Sequence, residues 1–194
     1  MARALSPPGT RMTPIPTHDE AIDATRNWLE RAVIGLNLCP FAKAVHKKGQ
    51  VRYVVSDATQ PLQLHEDLVR ELELLRDTNA EQVDTTLLIH PGVLADFMDF
   101  NEFLEVADDT VADLALEGEI QVASFHPDFQ FEGTAPDDIT NYTNRSPFPT
   151  LHLLREASID KAVAAFPDAS KIFEANMETL EKLGLEGWKK LFAV

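Results

Sequence analysis

Three short runs rich in β-branched and apolar residues, Val51–Val55, Thr85–Ile89 and Ile120–Phe125, are separated by segments whose apolar residues recur every three or four positions. This alternation of strand period with helix period constrains the chain more than any other feature. Strands that alternate with helices pair in parallel through right-handed crossovers. Thr85–Ile89 leans apolar throughout, the pattern of a strand covered on both faces. The expected fold is α/β: a small, mainly parallel sheet of three or more strands flanked by helices, with a C-terminal helical segment.

The helical segments carry their own signals. Thr17 and Glu20 form a capping box, in which hydroxyl and carboxylate satisfy each other's backbone N–H groups, and Ile22, Thr25, Leu29, Val33 and Leu36 follow as one apolar stripe. Pro40 ends that helix near Cys39. Leu64, Leu68, Leu72 and Leu75 mark a second helix. Asp99 and Glu102 are the expected caps of a third, whose stripe of Phe100, Leu104, Ala107, Val111 and Leu114 runs to Gly118. Residues 127–149 show no period and are rich in Pro, Asp, Asn, Thr and Gly; a loop this long is uncommon and is often a binding loop or lid. A helix is expected from about Thr150, then further helices near 158–166, 168–183 and 185–192, with Met177, Leu180, Leu183, Trp188 and Leu191 inward. Residues 1–16 hold four prolines and no hydrophobic period, so a disordered tail is expected there, followed by a single α/β domain over 17–194.

A net charge of −15, from 32 acidic and 17 basic residues, opposes a phosphate backbone and argues against nucleic acid as a partner. The densest basic stretch, Lys43, His46, Lys47, Lys48 and Arg52, reads as a solvated face. No apolar run approaches the roughly 18 residues of a membrane span, and the N-terminus lacks a secretory apolar block. The single cysteine, Cys39, excludes an intramolecular disulfide. A soluble, acidic, cytoplasmic protein is the expectation, with its oligomeric state left open.

The segments WLERAVIGLNLCPFA (28–42), ASFHPDFQFEGT (123–134) and NYTNRSPFPTLHLLRE (141–156) carry a resemblance. The chain resembles, from about Trp28 to Phe192, an uncharacterised and mostly bacterial family, the domain of unknown function 1415. That resemblance implies no activity, cofactor or catalytic residue, so the functional reading rests on individual side chains.

His90 and His126 each follow an expected strand in a His-Pro step, at the carboxyl edge where ligands bind open parallel sheets. A strand-end histidine is also an ordinary hydrogen-bonded structural residue. His152 and Glu156 stand four apart and would share a face of the helix expected from Thr150. Joined by His126 they form the two-imidazole, one-carboxylate set of a zinc or non-haem iron site, so a divalent metal is the cofactor this set would take. Arg145, just before that helix, is a candidate clamp for a carboxylate or phosphate, with Tyr142 and Asn144 orienting the ligand; the competing reading ties it to Asp137 or Asp138. Cys39 is a nucleophile if Lys43 and His46 lower its pKa, and a small apolar packing residue otherwise.

Three functional readings follow. The first is an enzyme or enzyme-like binder of a small anionic molecule, with Arg145 as clamp, His126 or His152 moving a proton, Cys39 lining the pocket or attacking, and His90 contributing to binding. The second is a metal-binding protein using His126, His152 and Glu156. The third is a non-catalytic acidic protein-interaction module. No glycine-rich phosphate loop, nucleophile-elbow serine or dinucleotide fingerprint is present.

Overall fold

The computed structural model describes residues 14–164 and 171–193. Helix α1 (His18–Trp28) starts at the expected Thr17–Glu20 capping box and continues into a π-helix, Leu29–Ile34. A short helix α2 (Ala42–Lys47) leads into β1 (Val51–Val55). Then come α3 (Pro61–Asp77), β2 (Thr85–Ile89), α4 (Phe97–Asp113) and β3 (Ile120–Phe125). A 3-10 turn at Ile139–Thr143 precedes β4 (Thr150–Arg155), α5 (Glu156–Ala164) and α6 (Ile172–Phe192). The three expected strands are present with their expected bounds. Helix α4 begins earlier than Asp99, because the Asp96 carboxylate accepts the backbone N–H groups of Met98 and Asp99. The helical tail also breaks where expected: Gly184 takes φ 63°, splitting α6 into two segments. Most of the expected N-terminal tail, and the expected helix boundaries near 166 and 168, lie outside the described residues.

The sheet corrects two expectations. Its order is β1-β2-β4-β3; β1 and β2 are parallel, whereas β4 runs antiparallel to both β2 and β3. The sheet is therefore not mainly parallel, although β1, β2 and β3 point the same way. The segment from Thr150 is a strand, not a helix. Leucine-rich TLHLLR has ample helix propensity, but tertiary context overrides it. Between β2 and β3 its backbone is paired on both sides, and the strand period places Leu151 and Leu153, both 0% exposed, on one face with Thr150 and His152 on the other.

Helices cover both faces. On one, Leu64, Leu68, Leu72 and Leu75 of α3 and Phe100, Phe103 and Ala107 of α4 pack on Leu88, Ile120, Leu151 and Leu153. On the other, Trp28 of α1, Leu29, Ala32 and Val33 of the π-helix, and Leu180 and Trp188 of α6 form a second cluster, joined by Tyr53 of β1 and Phe125 of β3. Each fully buried leucine stabilises the fold by about 1.5–3 kcal/mol relative to an exposed one. Arg155, at the end of β4, donates to the carbonyls of Leu75 and Thr78 at the C-terminus of α3, locking that helix end to the sheet.

The π-helix has a sequence requirement at its exit. Gly35 N–H donates to Glu30 O at 3.0 Å, and a Cβ added at Gly35 would collide with the Arg31 carbonyl oxygen. The neighbour is backbone and cannot swing aside. Gly35→Ala is expected to cost about 1–3 kcal/mol in urea unfolding although Gly35 itself is exposed, since a strained backbone contact is one of the mechanisms by which single substitutions destabilise strongly. A midpoint equal to that of the native chain would show that the π-turn relaxes at no cost.

Candidate functional site

Residues 127–149 do form a long connection, and its folding is dictated by buried polar side chains. Asn141, 0% exposed, accepts from Phe131 N–H at 3.0 Å and from the Thr134 hydroxyl at 2.9 Å, and donates to Ala135 O at 2.9 Å. His126 N–H donates to Asn144 O at 3.2 Å, closing the loop on the end of β3. Sequence reasoning passed over Asn141; its signal was the density of Asn, Asp and Thr in a segment with no period.

The loop presents Arg145 to a cleft of about 320 Å³. The walls are Ala24, Asn27 and Trp28 of α1, Pro127, Tyr142, Arg145, Ser146 and Pro147 of the loop, and Trp188 and Phe192 of α6. The aromatic rings hold one another edge to face, Tyr142 on Trp188 at 5.0 Å and Trp188 on Phe192 at 5.6 Å. The Arg145 guanidinium lies over the Tyr142 ring at 4.6 Å. Its Nε donates to Phe129 O at 3.0 Å and one Nη to Pro136 O at 2.7 Å. The expected alternative partners, Asp137 and Asp138, do not pair with it; Asp138 instead caps the 3-10 turn through Thr140. Arg145 also does not stand before a helix, because β4 follows it, so no helix dipole aids an anion there. Of the expected ligand-orienting residues, Tyr142 lines the cleft and Asn144 serves through its backbone, accepting from His126.

The three candidate histidines lie elsewhere. His90 and His126 end β2 and β3, but β4 separates those strands, and both side chains turn towards α4. His90 stacks on Phe100 at 5.6 Å, and His126 lies 5.1 Å from the same ring and 5.4 Å from Phe97. The two rings fasten one loop: His90 Nδ1–H donates to Val93 O at 3.1 Å and His126 Nε2–H to Leu94 O at 3.2 Å. His126 Nδ1 accepts from Asp128 N–H at 3.0 Å, which fixes a neutral tautomer. His90 Nε2 is buried without a hydrogen-bond partner. Desolvation pushes the pKa of His90 down to about 4 and moves that of His126 in the same direction.

His152 is on the opposite face of the sheet, in the middle of β4, 5.7 Å from the Phe125 ring. Thr85 spends its hydroxyl proton on Leu153 O and so accepts from His152 Nε2–H at 2.7 Å. His152 keeps some exposed surface, yet the packing around its ring is dense enough for desolvation to push its pKa to about 4. Glu156 begins α5 and lines a different, acidic groove with Asp108, Glu117 and Gln121, at the end of β3 remote from His126. The structure therefore does not bring His126, His152 and Glu156 together. Among the described residues, no three His, Cys, Asp or Glu side chains are placed to hold a metal ion. Cys39 is partly buried against the cluster around Trp28 and α6, and His46 pairs with Glu30 at 3.3 Å.

What the structure assembles is thus an aromatic cleft with a single cation, while the expected histidine site is dispersed over two faces. No helix among the described residues is long and apolar enough to cross a membrane. No curated protein and no solved structure matches the chain. The sequence profile of a family described as a protein of unknown function, DUF1415, matches residues 20–190, and the chain belongs to that family.

Proposed function

We propose that the protein binds a small anionic molecule in the cleft between Trp28 and Trp188, with Arg145 as its charge partner. The supporting observation is that Arg145, half-buried in the cleft wall, pairs with no carboxylate among the described residues of a chain with 32 acidic side chains. A guanidinium held by backbone carbonyls and an aromatic face is oriented in advance, so little side-chain entropy is lost when an anion arrives. The net charge of −15 disfavours a polyanion such as nucleic acid and leaves a small ligand as the partner class. The reading is one of binding, since none of the described residues lining the cleft is His, Cys, Asp or Glu. Proton transfer by His126 or His152 and attack by Cys39 are not part of it.

Both tryptophans of the chain line this cleft, so intrinsic emission reads the site without background. Titration with acetate and with inorganic phosphate at constant ionic strength is expected to change that emission saturably for at least one of them. Arg145→Met should abolish the response, and Arg145→Lys should restore only part of it because the forked donor geometry is lost. A response that never saturates, or that is the same in the Met variant, would sink the reading.

A further inference from the structure

We infer that the cleft selects an aromatic monocarboxylate of one or two rings; this rests on the anion-binding reading and narrows it to a ligand class. Charge balance is the first argument. The described lining contains one cation, Arg145, and no other basic side chain. One guanidinium matches the single charge of a carboxylate, whereas a phosphate group at neutral pH carries between one and two charges and three acceptor oxygens that ask for further donors.

Donor geometry is the second argument. A guanidinium offers five N–H groups, of which Phe129 O and Pro136 O engage two. Three remain, two of which form a bidentate pair with a carboxylate, whereas the three oxygens of a phosphate would take all of them and leave its second charge unmatched. Around that point charge Trp28, Trp188, Phe192 and Pro147 supply most of the apolar lining of a space of about 320 Å³. That volume is at the small end of ligand pockets, which suits one or two fused rings rather than a nucleotide. Tyr142, Trp188 and Phe192 pack edge to face, so the wall beside Arg145 is aromatic, the chemistry that an aromatic ring of the ligand would meet.

The test uses the full chain with three single-ring probes, benzoate, its neutral isostere benzamide, and phenyl phosphate, followed by calorimetry and by tryptophan emission excited at its red edge. Benzoate is expected to bind at least about tenfold more tightly than either benzamide or phenyl phosphate, each decade corresponding to about 1.4 kcal/mol. Arg145→Met should remove the preference for benzoate over benzamide while leaving benzamide binding within about twofold, which a general loss of folding would not do. Tighter binding of phenyl phosphate than of benzoate overturns the monocarboxylate assignment and leaves the anion site standing. Equal binding of benzoate and benzamide, or an unchanged preference in Arg145→Met, overturns the anion site together with the assignment. Failure of all three to bind while acetate or inorganic phosphate still changes the emission overturns the aromatic assignment alone, and failure of those two as well overturns both.

Discussion

Acidification from pH 7 to pH 4 is expected to remove about 3 kcal/mol of stability through His90 alone, most of it before the carboxylates begin to titrate. His90 is 0% exposed, and its pKa of about 4 lies below the ordinary 6.5 because the charged form is desolvated and its Nε2 has no acceptor. A base whose folded pKa is depressed binds its proton preferentially in the unfolded chain. Its contribution is therefore complete above pH 6.5 and is lost progressively as pH falls towards 4. By pH 5 the loss is already about 2 kcal/mol, taking 1.36 kcal/mol per unit. His152 and His126 act with the same sign. For His126, the hydrogen bond to Leu94 O and the charges of Asp128 and Asp96 raise the pKa and partly oppose the depression. Glu20 and Asp138, held low by their backbone hydrogen bonds, lose their contributions only from the ordinary carboxylate range downwards. Urea unfolding at pH 7.5, 6, 5 and 4.5 gives the slope. His90→Asn keeps a donor for Val93 O but cannot titrate, so it should be less stable at pH 7.5 and markedly flatter down to pH 5. A variant as acid-sensitive as the native chain would assign the slope to other groups.

That histidine pair also shows where the sequence was legible. A strand that ends in His-Pro can be read from pattern alone, and β2 and β3 end as expected at Ile89 and Phe125. Which way His90 and His126 turn depends on α4, whose Phe100 stands between them, and on the strand that separates β2 from β3. That strand was hidden because Leu151, Leu153 and Leu154 satisfy a helix period as readily as an alternating one. Misreading it moved His152 and Glu156 onto one imagined helix face, whereas the chain places His152 inside a ladder and Glu156 past its end. The anion-clamp candidates fared differently. Arg145 and Tyr142 were legible as polar residues in a long aperiodic loop, and both line the cleft. Trp188 was read only as an inward residue of the helical tail and Trp28 was not singled out, because from sequence a helix stripe says which face is inward but not where that face meets an opening.

Asn141→Ala is expected to destabilise the protein by about 3 kcal/mol, and to do so mainly by loosening the loop that builds the cleft. The native side chain is fully buried and makes three hydrogen bonds, to Phe131 N, Thr134 Oγ1 and Ala135 O. Truncation orphans the Phe131 N–H, while the Ala135 carbonyl keeps only the Asp138 N–H. A buried polar group stripped of its partner costs about 1–3 kcal/mol, more than the bond itself contributes. The bonds lie at the base of the segment that places Tyr142 and Arg145, and Arg145 is itself tied to Phe129 and Pro136 on the same stretch. Freedom at Phe131 and Ala135 should therefore reach the guanidinium through a few residues of backbone. Amide exchange separates this from a global effect: protection should fall first between 129 and 145, while the core amides of β2 and β4 follow only the change in overall stability. Anion-dependent tryptophan emission should weaken several-fold at a temperature where the variant is still folded. Asn141→Asp keeps an acceptor for Phe131 and Thr134 but loses the donor to Ala135 O and buries a charge, so it should be no better tolerated. If Asn141→Ala unfolds within about 0.5 kcal/mol of the native chain and exchanges alike throughout the loop, the loop's order comes from its other contacts, and the cleft does not depend on this residue.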